Sequence, residues 1–148
     1  MTAITANTLS VVADTTRLGA VTGAPAPLLR LEAAAVMLGA GFGYHLIHAN
    51  WLMFALLFLV PDLSILGYLA GRRIGAAVYN AGHSYLLPVA LAVAGFSAHA
   101  AVAYALAMIW TAHIGFDRML GYGLKYPAGF GVTHLGFKTG RQTAKTGA

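Results

Sequence analysis

Four apolar stretches separated by short polar breaks run along the chain. The first spans about 28–47, opened by Pro27 at a favourable first-turn position and interrupted only by Arg30 and Glu32. The second, about 51–70, begins on Trp51, stays apolar up to Pro61-Asp62 and closes on Gly71-Arg72-Arg73. The third, about 74–96, carries Asn80, His83, Ser84 and Pro88; the fourth, about 98–124, is alanine-rich and turns polar at His113, Asp117 and Arg118. Each reaches or exceeds the roughly 20 residues that a helix needs to cross a bilayer core. The pattern predicts an all-α fold, an integral-membrane four-helix bundle over 27–124. A flexible N-terminal tail (1–26), without the basic start of a secretory signal, precedes it, and a basic, glycine-rich C-terminal tail (125–148) follows.

Composition agrees with that reading: 59% of the 148 residues are hydrophobic and 9% are charged, against about 25% charged in ordinary soluble domains. With no cysteine, disulfides, thiolate metal ligands, iron–sulfur clusters and cysteine nucleophiles are excluded. The formal charge of +5 forms no separate basic module, so nucleic acid is not an expected partner. Arg17, Arg30, Arg72, Arg73, Arg118, Lys125, Lys138, Arg141 and Lys145 flank one side of the apolar stretches, and the breaks near His48 and Ser97 carry no basic residue. The positive-inside rule then places both termini in the cytoplasm of a multi-pass membrane protein, with membrane lipids as its surroundings.

Ionisable groups within such stretches are costly, about 2.5 to 3.5 kcal/mol each on insertion scales, and mark functional sites. Asp62 lies about ten residues before Arg72 and His83 about ten after Arg73, which puts each roughly 15 Å from the cytoplasmic edge at a 1.5 Å rise. His113 sits at a similar depth, with Asp117 one turn away on the same face. Asp62, His83, His113 and Asp117 are therefore expected to meet, as a nitrogen and oxygen ligand set suited to zinc, manganese or iron. Glu32 is expected to serve as general base, and Asn80, one turn from His83, to orient ligands or substrate together with Tyr79. The simpler alternative is a polar network that only holds the helices together. His45, His48 and His99, on the opposite side, are read as interfacial residues, and the Gly67/Gly71/Gly75 spacing and Gly39/Gly43 as close helix packing. Residues beyond Tyr122 are expected to form a loop on anionic lipid.

The runs Pro61-Asp62-Leu63-Ser64, Gly67-Tyr68, Gly75, Tyr79-Asn80 and His83, and above all the stretch from His113 through Gly115-Phe116-Asp117-Arg118 and Gly121-Tyr122-Gly123-Leu124 to Lys125-Tyr126-Pro127, resemble a small bacterial integral-membrane family catalogued only as a domain of unknown function. The resemblance covers about 28–136 and implies a four-span protein of the bacterial inner membrane but no reaction. A looser similarity is to membrane-embedded metal-dependent hydrolases with a Pro-Asp element, and the first functional expectation is such a hydrolase acting on a lipid-like substrate. Two further readings remain: a haem or pigment protein using His83 and His113 as axial ligands, and a non-enzymatic accessory or small transport subunit that forms a homo-oligomer or joins a larger membrane complex.

Overall fold

The computed structural model describes residues 20, 21 and 23–137. Most of the expected N-terminal tail, and Lys138, Arg141 and Lys145 of the C-terminal one, lie outside the described residues. The fold is mostly helical and has four arms. Helix α1 (Pro25–Leu46) forms the first; α2 (Trp51–Leu57) continued by a 3-10 helix (Val60–Ala70) forms the second; α3 (Arg72–Gly82) and α4 (Leu86–Ser97) form the third; α5 (Ala101–Met119) forms the fourth. A short hairpin, β1 (Val132–Thr133) with β2 (Gly136–Phe137), follows. Two helical stretches, Pro25–Leu46 and Trp51–Ala70, are long and apolar enough to cross a membrane.

Local chemistry explains several boundaries. Pro25 opens α1, where its missing N–H costs nothing. Asn50 caps α2 by accepting the Leu52 N–H at 2.8 Å, and the Tyr44 hydroxyl donates to the Asn50 carbonyl at 2.6 Å. Pro61 stands in the first turn of the 3-10 helix. The chain reverses after it at Gly71, whose φ of +107° suits glycine. Eleven residues of 3-10 winding is unusual. At three residues per turn, positions three apart line up in rows. One row, Pro61, Ser64 and Gly67, faces α3: a Cβ on Gly67 would lie 2.8 Å from Val78, and one on Gly82 would lie 3.0 Å from Ser64. The next row, Asp62, Ile65 and Tyr68, is turned towards the hairpin side, where Asp62 and Ile65 line a cavity and Tyr68 packs on Phe130. Gly75 lies so close to Tyr68 that no side chain fits between them.

The third arm was expected as one continuous helix and is instead broken at 83–85. Its halves have different partners: α3 packs on the 3-10 helix and α4 on α5. The break leaves carbonyls of the last turn of α3 without helical partners, and α5 supplies donors. Trp110 Nε1–H donates to the Gly82 carbonyl at 2.6 Å, and the Arg118 guanidinium, 4.4 Å above the Tyr85 ring, reaches the His83 carbonyl at 3.4 Å.

Helices α1 and α5 pack along much of their length. Their closest approach uses Gly115, where a Cβ would fall 2.8 Å from the Ala33 carbonyl oxygen. Of the pair expected to make close contact, Gly43 touches the Met108 side chain, but Gly39 faces open space. The interior is built from small residues around a few large ones: Ala33, Ala40, Ala76, Ala105, Ala107 and Ala112 are buried beside Tyr44, Ile109 and Ile114. Large apolar residues lie outside, Leu69 at 88%, Leu86 at 79% and Phe96 at 76% exposure among them.

Candidate metal centre

Four side chains from three segments of the chain converge. Asp62 comes from the 3-10 helix, His83 from the break after α3, and His113 and Asp117 from α5, one turn apart on one face. One nitrogen or oxygen from each lies within 4.8 Å of all the others. The Nε2 atoms of His83 and His113 are 3.2 Å apart. His83 Nε2 is 3.4 Å from Asp62 Oδ1 and 3.5 Å from Asp117 Oδ2, and His113 Nε2 is 3.6 Å from Asp62 Oδ1. A tetrahedral ion with bonds of 2.0 to 2.1 Å needs its ligand atoms about 3.3 to 3.4 Å apart, so these four separations match the edges of such a polyhedron.

The surroundings fix the orientation of the His83 ring. Its Nδ1 lies 3.1 Å from the Tyr79 carbonyl, which can only accept, so Nδ1 carries the proton and Nε2 presents its lone pair to the cluster. Tyr79 acts a second time through its hydroxyl, which donates to Asp117 Oδ2 at 3.3 Å, and its ring stacks on the His83 imidazole at 3.8 Å. Ser64 Oγ lies 3.4 Å from His83 Nδ1. His113 has no equivalent support: among the described residues its buried Nδ1 has no hydrogen-bond partner, and its ring packs in a T-shaped arrangement with Phe58, centroids 5.3 Å apart.

Both histidine side chains are buried, whereas those of Asp62 and Asp117 are 37% and 15% exposed. The carboxylates face a cavity of about 430 Å³ that is also lined by Ile65, Tyr79, Phe116, Lys125 and Phe130. A second, almost wholly apolar cavity of about 370 Å³, lined by Leu57, Val60, Pro61, Leu91, Leu106, Ile109 and Trp110, begins one residue before Asp62 and one turn before His113.

Glu32 and Asn80 take other places. Glu32 is exposed and lines a separate cavity of about 160 Å³ with Tyr85, Arg118 and His134, away from the four-residue cluster. The reason is rotational, because Ala33 is the residue turned towards α5 beneath Gly115 and Glu32 is set about 100° from it. The Asn80 amide is committed to the backbone of Lys125, donating to its carbonyl at 2.9 Å and accepting its N–H at 2.7 Å. It therefore anchors the segment after α5 and has no bond to the cluster.

That segment differs from the expected lipid-facing loop. Lys125 bridges to Thr133, the Tyr126 N–H donates to the Val132 carbonyl at 2.9 Å, and the Leu124 N–H donates to His134 Nδ1 at 2.8 Å. Burial pushes the His134 imidazole below its ordinary pKa, and Arg118 acts in the same direction. Lys125 is 5% exposed and Thr133 2%. Val21 joins the same layer, its N–H donating to the His134 carbonyl at 2.8 Å. The burial of Lys125 could have been suspected from Asn80, since an amide in an apolar segment must find partners of its own kind.

His45, His48 and His99 form no metal-sized cluster among the described residues. His48 and His99 instead occupy left-handed turn positions, at φ of 51° and 52°.

A family model described as a domain of unknown function, DUF4260, matches residues 26–137, and the chain belongs to that family. No curated protein and no solved structure matches the chain significantly.

Proposed function

Starting from a family without an assigned activity, we propose that this protein is a four-span protein of a bacterial inner membrane, with cytoplasmic termini, that holds a divalent metal at Asp62, His83, His113 and Asp117 and hydrolyses a lipid-like substrate there. The observation that carries the reading is the set of contacts of 3.2 to 3.6 Å among the two Nε2 atoms and the carboxylate oxygens. Without an ion, two imidazoles and two carboxylates would share a space that only protons could neutralise. With one, all four donors are satisfied at once, and zinc, manganese or iron suits the set.

The outward-facing large side chains around a small-residue interior support membrane insertion, since close helix packing in lipid relies on small residues. Basic Arg30, Arg72, Arg73 and Arg118 support the orientation. Asp62, His83, His113 and Asp117 would hold such an ion, which would supply Lewis acidity for activating a water and an ester or phosphoryl oxygen. The chain's own residues do the rest. Tyr79 fixes both His83 and Asp117, the partly exposed Asp62 and Asp117 open the centre to the 430 Å³ cavity, and the apolar 370 Å³ cavity offers room for an acyl or isoprenoid chain. The geometry favours an ion over haem: with the Nε2 atoms 3.2 Å apart and carboxylates in the same space, a macrocycle does not fit between the rings.

The test is elemental analysis of detergent-purified protein, wild type against His113→Ala. About one zinc, manganese or iron per chain, lost in the variant, is the expected result. A folded wild type that binds none of the three after incubation and desalting would leave the cluster a structural polar network, as in an accessory or transport subunit.

A further inference from the structure

Lys125 is the one lysine among the described residues, and it is nine-tenths buried without a carboxylate partner. Its Nζ lies 3.0 Å from the ring centroid of Phe130, 4.1 Å from that of Tyr79 and 5.7 Å from that of Tyr68. These rings come from the turn before β1, from α3 and from the 3-10 helix, so three separate segments build a cage around one ammonium. No described carboxylate lies within 4.0 Å of it. Its backbone is pinned in both directions by Asn80, which fixes where the charge stands.

Aromatic faces stabilise a cation but do not neutralise it. A buried unpaired charge is expensive unless a ligand completes it. Lys125 lines the same 430 Å³ cavity as Asp62 and Asp117, whose other walls include the apolar Ile65, Phe116 and Leu120. Burial holds its pKa down to about 8 while Asp117 and Asp62 pull it upward, so the ammonium form predominates at pH 7. One cavity thus combines a fixed cation, an apolar wall and the edge of the candidate metal centre.

We propose that Lys125 is the recognition residue for the substrate's anionic headgroup, so that the cavity takes a singly headed anionic amphiphile, phosphate or carboxylate, whose head meets Lys125 beside the Asp62 and Asp117 carboxylates. The assignment of the amphiphile as substrate rests on the hydrolase reading above; the binding of an anion at Lys125 does not. Lys125 is not assigned a part in bond cleavage.

The experiment uses the full chain in a neutral maltoside detergent and measures binding of dodecyl phosphate, dodecanoate and dodecyltrimethylammonium by calorimetry, in metal-loaded and chelator-treated samples. Wild type is expected to bind at least one anionic probe about tenfold or more tighter than the cationic probe, as one charge-assisted contact allows. Lys125→Met is expected to lose that preference and Lys125→Arg to keep most of it. Phosphate bound over carboxylate would point to a phosphorylated lipid as substrate, and the reverse to a fatty acid as the product released from an ester. Equal binding of anionic and cationic probes, or an undiminished preference in Lys125→Met, overturns the proposal. Should Lys125→Met fail to fold, Phe130→Leu, which opens the cage and leaves the charge, supplies the second variant: anion preference kept there supports the proposal, and its loss in a folded sample counts against it. A preference that survives chelation in a protein shown to bind no metal would sink the hydrolase reading and leave the Lys125 site standing.

Discussion

Tyr79 grips His83 and Asp117 together, through its carbonyl on one and its hydroxyl on the other. A single residue on α3 thereby sets the aim of ligands from two different arms. Removing only the hydroxyl should leave the metal bound but more loosely. Tyr79→Phe is expected to weaken affinity by about 10- to 100-fold, the usual cost of losing a partner behind a ligand, whereas His83→Ala should abolish binding. Competition with a fluorescent zinc chelator distinguishes the two cases.

Asn80 gives a contrasting result. Because it serves the Lys125 backbone and not the cluster, Asn80→Leu should keep the metal and loosen the segment beyond α5. Two backbone groups lose their partners, at a cost of about 1 to 3 kcal/mol for each that stays buried. Hydrogen exchange at the Lys125 amide should accelerate while metal stoichiometry stays at the wild-type level. Metal lost from folded Asn80→Leu protein would contradict this placement.

Glycines separate two kinds of packing. Gly67→Ala would drive a methyl to within 2.8 Å of the Val78 side chain and spread the 3-10 helix from α3, shifting Asp62 relative to His83. Gly39→Ala meets nothing within 4 Å among the described residues. Thermal unfolding in detergent should show a loss of about 1 to 3 kcal/mol for the first, as for other overpacked sites, and almost no change for the second.

His134 should make the hairpin sensitive to acid. Its folded-state pKa lies below the ordinary value, so between those two values the unfolded segment binds more protons than the folded one and stability rises with pH. The contribution is complete above about pH 6.5, the ordinary histidine value, and is lost as pH falls through the lower folded value. The 2.8 Å bond from the Leu124 N–H to Nδ1 agrees, because it needs that nitrogen unprotonated. Exchange of the Leu124 amide, corrected for its intrinsic pH dependence, should lose protection on acidification, and His134→Gln should flatten the profile.

Asp62, His83, His113 and Asp117 could be brought together on paper because each interrupts an apolar stretch at a countable distance from a basic flank, and depth along a helix follows from rise per residue. Rotation about the helix is harder to read. Glu32 was expected in the site by depth alone, and the neighbouring Ala33, wedged under Gly115, is what turns it elsewhere. The break at 83–85 does not show in a count of span length, although the first half, with Arg72, Arg73 and Asn80, is far more polar than Leu86–Ser97; a second signal is Trp110 and Arg118, donors on α5 with carbonyls to find. The segment holding Lys125 was misjudged because glycine content argues against a helix without saying which strand pairing replaces it. Counting Lys125 among the flanking cations also gave it to the lipid surface, whereas its ammonium lies among Tyr79, Tyr68 and Phe130.

The 3-10 winding of Val60–Ala70 also works as a ruler. At about 2.0 Å per residue it reaches roughly 22 Å, where an α-helix of the same length would reach only about 16 Å. Asp62, near its start, is therefore held several ångströms farther from the Arg72–Arg73 end than α-helical counting allows. Rewinding the segment to α would retract Asp62 by about one α-helical turn and carry it round the axis, away from both imidazoles. Ligand geometry at the centre thus doubles as a gauge of how tightly the second arm is wound, readable wherever a bound ion reports its coordination number.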